Sequence, residues 1–123
     1  MGAMERRLLI VDDEPAVCQS LKSFFGSRGF AVETAFSGEE ALVRLKRGPV
    51  EAILIDILLP GIHGIEVLRQ AKALYPSARA VMMTGLEQEE LQQEALRSGA
   101  SGFVSKPMNL GDASWANLLA EVL

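Results

Sequence analysis

Two adjacent carboxylates, Asp12 and Asp13, follow the apolar run Leu8-Leu9-Ile10-Val11, and a third, Asp56, closes the run Ala52-Ile53-Leu54-Ile55. Lys106 stands just after Phe103-Val104-Ser105. Each of these groups therefore ends a stretch with the composition of a strand. Strands of a parallel sheet present their carboxyl ends to one edge, and in open α/β folds that edge is where ligands bind. Three carboxylates gathered there repel one another, and a hard cation held by oxygens relieves the repulsion. Lys106 supplies a positive charge suited to an anion. One site that takes a cation and an anion together is the chemistry these residue types describe.

The elements that must position them alternate along the chain. Residues 7–11 read as a first strand, and Pro15 suits the first turn of the following helix, where its missing N–H would have no partner anyway. Val17, Leu21, Phe24 and Phe25 fall on one face of that helix, and Gly29 ends it. Phe30–Ala35 reads as the second strand. Ser37 then caps a helix, Glu40 completes a capping box, Ala41, Leu42 and Leu45 form the buried stripe, and Gly48-Pro49 is the stop. Residues 52–55 are apolar throughout, as a central strand covered on both faces should be, and deliver Asp56. Beyond the turn-rich Pro60-Gly61 and Gly64, residues 65–75 read as a helix with Val67, Leu68, Ala71 and Leu74 inward, ended by Pro76.

Residues 80–83 give a fourth strand that leads to Thr84-Gly85. Residues 89–98 give a polar helix whose apolar positions are Leu91, Ala95 and Leu96, closed by Gly99. Gly102–Ser105 is the fifth strand. Trp115, Leu118, Leu119 and Val122 share one face of a last helix, which starts near Asp112 or, with Asn109 as its cap, earlier. Strand and helix thus alternate five times, the pattern of an α/β doubly wound parallel sheet.

With 123 residues the chain is long enough for one core and too short for two domains of typical size. Residues 1–4 read as a tag remnant and 5–123 as the single domain. A net charge of −4 provides no electrostatic footprint for nucleic acid or an anionic membrane. The apolar runs are far shorter than the ~20 residues of a membrane span, and Glu5-Arg6-Arg7 leads into a strand rather than a signal segment. The lone cysteine, Cys18, cannot form an internal disulfide, so the expected compartment is the cytoplasm.

Four segments now stand in order: Val11-Asp12-Asp13-Glu14-Pro15, Asp56-Ile57-Leu58-Leu59-Pro60-Gly61, Met83-Thr84-Gly85, and residues 99–107 ending in Ser105-Lys106-Pro107. Singly each is weak. Together, in register along a fivefold strand-helix repeat, they resemble the receiver domain of two-component response regulators over residues 6–123. The resemblance implies a flavodoxin-like (βα)5 sheet of order 2-1-3-4-5. It implies that Asp56 accepts a phosphoryl group from the phosphohistidine of a histidine kinase or phosphotransfer protein, the carboxylate acting as a covalent acceptor. It further implies Mg²⁺ held by Asp13, Asp56 and the backbone carbonyl of Leu58, with Asp12 acting through water. Lys106 would pair with phosphoryl oxygens, its direction set by the turn at Pro107. Thr84 would donate its hydroxyl to the same group, and Phe103 holds the position of the family's switch aromatic. The α4-β5-α5 surface would then control a partner or an output domain beyond Leu123, with no direct contact to nucleic acid or membrane.

Plainer readings accompany these. Asp56 could cap a loop, Asp12 or Asp13 could N-cap the helix at Pro15, Thr84 and Phe103 could be strand and core residues, and Lys106 could be solvated surface. Three departures from the family also stand out. His63 replaces a frequent Asp, Leu58 and Leu86 are apolar beside the acceptor, and Glu87, Glu89, Glu90 and Glu94 face only Arg97. Alternatives to a phosphorylation switch are a phosphoryl sink and a receiver-like interaction module that has lost phosphorylation. A flavin-binding protein on the same architecture fits poorly, because Asp12-Asp13-Glu14 would repel a phosphate at the first strand's end.

Overall fold

The computed structural model describes residues 6–84 and 89–105. Strands β1 (Arg6–Val11), β2 (Phe30–Ala35), β3 (Ala52–Asp56), β4 (Arg79–Thr84) and β5 (Gly102–Ser105) form one parallel sheet in the order β2-β1-β3-β4-β5. Between them run α1 (Pro15–Gly26), α2 (Gly38–Leu45), α3 (Gly64–Leu74) and α4 (Glu89–Arg97). The chain steps from β1 outward to β2, then crosses back to β3 on the other side of β1. With right-handed crossovers this reversal puts α1 on one face and α2, α3 and α4 on the other. The last helix expected from Trp115, Leu118, Leu119 and Val122 lies outside the described residues.

Alternation along the strands builds two cores. Leu8 and Ile10 of β1 and Ala52 and Leu54 of β3 pack with Cys18, Leu21 and Phe25 of α1. Leu9, Val11, Ile53 and Ile55 point the opposite way, onto Leu45 of α2, Val67, Leu68 and Ala71 of α3, and Ala95 of α4. Phe25 is fully buried and meets the rings of Phe24 and Phe30 edge-on at 5.0 and 5.6 Å. Cys18, absent from the expected stripe of α1, is buried with them.

Helix ends differ in detail from the sequence expectations. The N-cap of α1 is Glu14, with Pro15 at the first position; neither Asp12 nor Asp13 occupies it. Ser37 caps α2 by accepting the N–H of Glu40 at 3.1 Å. The Glu40 carboxylate reaches past Ser37 to the N–H of Phe36 at 3.1 Å, one residue beyond a standard capping box. Two expected core positions face solvent. Leu74 is 47 % exposed because α3 ends there, and Tyr75 takes the inward place, packing on the core and donating its hydroxyl to the Leu45 carbonyl. Leu96 is 46 % exposed, since Ala95 is the residue of α4 aimed at the sheet.

Arg44 of α2 ties its helix to the edge strand β2 through Glu33 and also donates to the Gly48 carbonyl at 3.0 Å. The hydrogen bond from Arg44 holds the Glu33 carboxyl below its usual range, with smaller help from the charges of Arg44, Arg47 and Arg7 and opposition from partial burial. A lowered folded-state value means that the stabilisation is complete above the ordinary glutamate range and is lost as pH falls through the lowered value. Glu33→Gln should therefore destabilise at neutral pH by about 0.5 kcal/mol or less, given solvent screening, and the difference from the parent should vanish in acid. Urea unfolding of both proteins across pH checks this.

Candidate functional site

Val11 pairs with Ile55, so the next residues on the two strands, Asp12 and Asp56, leave the sheet side by side. Both continue the parity of the residues that face α1, namely Leu8 and Ile10 before Asp12 and Ala52 and Leu54 before Asp56. In a continued strand Asp13 would point to the other face, but β1 ends at Val11 and the backbone is released to turn it toward the other two. Oxygens of Asp12, Asp13 and Asp56 accordingly lie within 4.8 Å of one another. Asp12 is fully buried, Asp56 is 7 % exposed and Asp13 is open to solvent.

Short local bonds hold two of the three. Asp12 Oδ1 accepts the N–H of Glu14 at 2.9 Å, and Asp56 Oδ1 accepts the N–H of Leu58 at 3.2 Å. In both, the side chain turns the backbone two residues on, away from the strand direction. The backbone of Asp12 is fixed as well: its N–H donates to the Ala35 carbonyl at 3.1 Å, and its carbonyl accepts the Cys18 thiol at 3.3 Å. A carboxylate offers about four lone-pair sites, so one local bond does not exclude metal ligation. Three carboxylates with no softer donor in the group suit a hard divalent cation, and the residues present fit one.

Beyond Asp56 the chain loops to α3 and is pinned at both ends. The Ile57 N–H donates to the Met83 carbonyl of β4 at 3.0 Å, and the Gly64 N–H donates to the Ile57 carbonyl at 3.0 Å. Glycine is required at this second closure. A Cβ on Gly64 would sit 2.1 Å from the Asp56 carbonyl oxygen and 2.8 Å from that of Ile57. His63 is the N-cap of α3, its Nδ1 accepting the N–H of Ile65 at 3.2 Å. The Leu58 side chain is 52 % exposed at the rim, and its carbonyl belongs to the same loop.

Thr84 is 4 % exposed at the end of β4 and pairs with Ser105. Phe103 is half-buried, two residues earlier on β5, beside Met82. Ala80, Met82 and Phe103 all belong to the core under α3 and α4, so Thr84 continues the parity of Phe103 and not that of Asp12 and Asp56. Lys106 and Pro107 follow Ser105 directly and lie outside the described residues, as do Gly85, Leu86 and Glu87.

Several roles are not legible in the sequence: His63 stands out there only as a loop residue in place of a frequent Asp, Cys18 as a redox marker and Gly64 as a turn signal. The acidic side of α4 is also less bare than its composition suggests, because Arg69 of α3 reaches Glu94 at 2.8 Å while pairing with Glu66 at 3.6 Å. None of these was reachable from local pattern, since each depends on a neighbour brought by the fold or on a cap geometry. None of the described helices is long and apolar enough to cross a membrane.

Known proteins give the same picture. The family model of the response regulator receiver domain matches residues 8–114. A cyclic di-GMP phosphodiesterase of Thermotoga maritima is 35 % identical over 103 residues, 84 % of this chain and 27 % of that protein. The regulatory protein VanRB of Enterococcus faecalis is 30 % identical over 107 residues, 87 % of this chain and 48 % of that protein. The chain thus spans less than half the length of these curated relatives. A CheY-like receiver domain from Methanospirillum hungatei superimposes with a TM-score of 0.86 at 32 % identity, covering 95 % of this chain and 94 % of that one. A segment match of this extent, on a five-stranded sheet of order 2-1-3-4-5 with its carboxylates at the strand ends, makes the chain a member of the response regulator receiver domain family of two-component signalling.

Proposed function

We propose that Asp56 accepts a phosphoryl group from a phosphohistidine of a histidine kinase or phosphotransfer protein, with Mg²⁺ as the cation. The observation that carries this reading is the carboxylate trio, with oxygens within 4.8 Å, at the carboxyl edge of β1 and β3. An Asp56 oxygen attacks phosphorus, the bond from phosphorus to the imidazole nitrogen breaks, and the leaving imidazole keeps the electron pair and takes up a proton. Magnesium, when bound, neutralises the carboxylates and the incoming phosphoryl oxygens. Asp12, Asp13, Asp56 and the Leu58 carbonyl would hold it, with Asp12 acting through water. Lys106 would neutralise the phosphoryl group from the side of β5. The domain, residues 5–123, catalyses only its own phosphorylation and dephosphorylation. Its output passes through the surface formed by α4, β5 and the segment after it to a partner or an attached domain. The partial coverage of longer relatives supports that division of labour.

Asp13→Asn removes the exposed ligand. Magnesium affinity, read by calorimetry, should fall by about tenfold or more, the size of effect expected for a lost ligand charge. An unchanged titration would take Asp13 out of the site.

Thr84→Ala tests the switch. The phosphoryl group adds negative charge beside Thr84, and Thr84 and Phe103 share the face under α4, so movement of one opens or closes space for the other. Thr84→Ala should still take up phosphate but lose most of the amide shifts that a beryllofluoride mimic induces over residues 99–105. If those amides stay put in the parent with the mimic bound, the chain is a phosphoryl sink.

A further inference from the structure

We propose that a groove at the amino ends of β1, β3 and β4, on the pole opposite the carboxylate trio, docks an acidic segment of a partner protein that also carries an apolar side chain. Because the sheet is parallel, each helix must return the chain, so strand starts and helix ends share one pole. The net charge of −4 conceals how the charges divide between the two poles. Asp12, Asp13, Asp56, Glu89 and Glu90 lie at strand ends and helix starts. Arg6 and Arg79 open strands, and Arg28, Arg47 and Arg97 lie at or just beyond helix ends; all of these arginines are exposed. The helix dipole favours bases at helix ends, which accounts for Arg28, Arg47 and Arg97. It does not account for Arg6 and Arg79, and these two line a groove of about 580 Å³.

Val50 and Ala78 are the buried residues of the lining, and Pro49, Leu74 and Pro76 stand exposed beside them. The walls are set by internal bonds. Tyr75 is held through its hydroxyl to the Leu45 carbonyl, Lys72 Nζ donates to the Pro76 and Ala78 carbonyls at 2.7 and 2.8 Å, and the Arg79 N–H donates to the Glu51 carbonyl at 3.0 Å. The Arg6 guanidinium stands 4.7 Å from the centre of the Phe30 ring, which orients it without neutralising it. Glu51, the carboxylate of the lining, is already tied to Arg7 at 3.3 Å. Arg6 and Arg79 pair with no carboxylate among the described residues. Guanidinium forks match carboxylates, and a preformed apolar recess between them takes a side chain. Duplex DNA would satisfy the charges but brings no apolar side chain to the recess, and a bilayer surface is too flat to enter it.

The test adds a fluorescein-labelled peptide, acetyl-Asp-Glu-Leu-Phe-Asp-Glu, to the full chain, with a control peptide in which lysine replaces each acid. Anisotropy gives the affinity, and amide NMR gives the place. The acidic peptide should bind, more weakly as salt rises, and should shift the amides of Val50, Glu51, Ser77, Ala78 and Arg79 while those of residues 56–58 stay put. The lysine peptide should leave the groove amides unmoved. Arg79→Glu should lower the affinity about tenfold, because it removes an attraction and adds a repulsion. Arg6→Glu, on the other wall, should repeat that loss, and Leu74→Ser should cost about fivefold through the lost apolar contact. All three substitutions are at exposed positions, so urea midpoints close to the parent's are expected. An acidic peptide that does not bind, that binds both arginine variants as tightly as the parent, or that shifts only amides at the carboxyl edge overturns the proposal. Tighter binding of duplex DNA or phosphatidylserine vesicles to the same groove overturns it too. So does self-association of the parent, read by sedimentation, that Arg79→Glu abolishes, since the occupant would then be a second copy of this chain.

Discussion

Asp56→Asn is expected to abolish the phosphoryl adduct and, without divalent cation, to make the protein more stable. Asparagine keeps an oxygen that can accept the Leu58 N–H, now at 3.2 Å, so the turn after β3 survives. The amide is no nucleophile toward phosphorus, so the adduct expected by intact mass in the parent should be missing altogether. Stability moves the other way because the trio is a repulsive cluster. Two unit charges 4.8 Å apart interact by about 3.5 kcal/mol at an effective dielectric of 20, before the screening that exposed Asp13 receives. A gain of about 1 kcal/mol in urea unfolding is the expected remainder. Magnesium should narrow that gap by stabilising the parent more than the variant. Equal labelling of parent and variant would remove Asp56 from its role, and a variant less stable than the metal-free parent would show that the cluster is not repulsive.

Gly64→Ala is expected to be the most damaging small substitution near the site. A methyl group there meets the Asp56 carbonyl oxygen at 2.1 Å and the Ile57 Cα at 2.9 Å, and both are backbone atoms that cannot swing aside. Relief requires α3 to shift from β3 or the loop after Asp56 to rebuild. Overpacking of this kind costs about 3 kcal/mol or more in unfolding free energy, and it should slow phosphoryl uptake because the loop it displaces holds the acceptor. Gly26→Ala is the matched comparison. Gly26 ends α1 with nothing within 4 Å of the added carbon, so alanine should be neutral or stabilise by about 0.5 kcal/mol. If the two variants unfold at the same urea concentration, the close approach at Gly64 is not real.

The sequence by itself determined the order of the elements and the place of the chemistry. Fully apolar runs such as residues 52–55 can satisfy burial on both faces only as central strands, and β3 is buried along its whole length. A polar residue that ends such a run must emerge at the sheet's edge, which is why Asp12 and Asp56 are legible as partners from sequence alone. Pro15 likewise marks the first residue of α1, because an N–H at that position has no helical acceptor and proline lacks one at no cost. What local pattern could not supply were facts about neighbours. Helical spacing reports a face but not where a helix stops beside its sheet, so Leu74 and Leu96 read as core and stand exposed. Only the packed chain divides Asp12 from Asp13 into a buried and an open carboxylate, brings Arg69 across to Glu94, and sets α3 so close to β3 that residue 64 has room for no side chain. The position of His63 was visible, but its lone pair became a cap when the turn before α3 aimed the ring at Ile65, a direction that backbone geometry sets and composition does not.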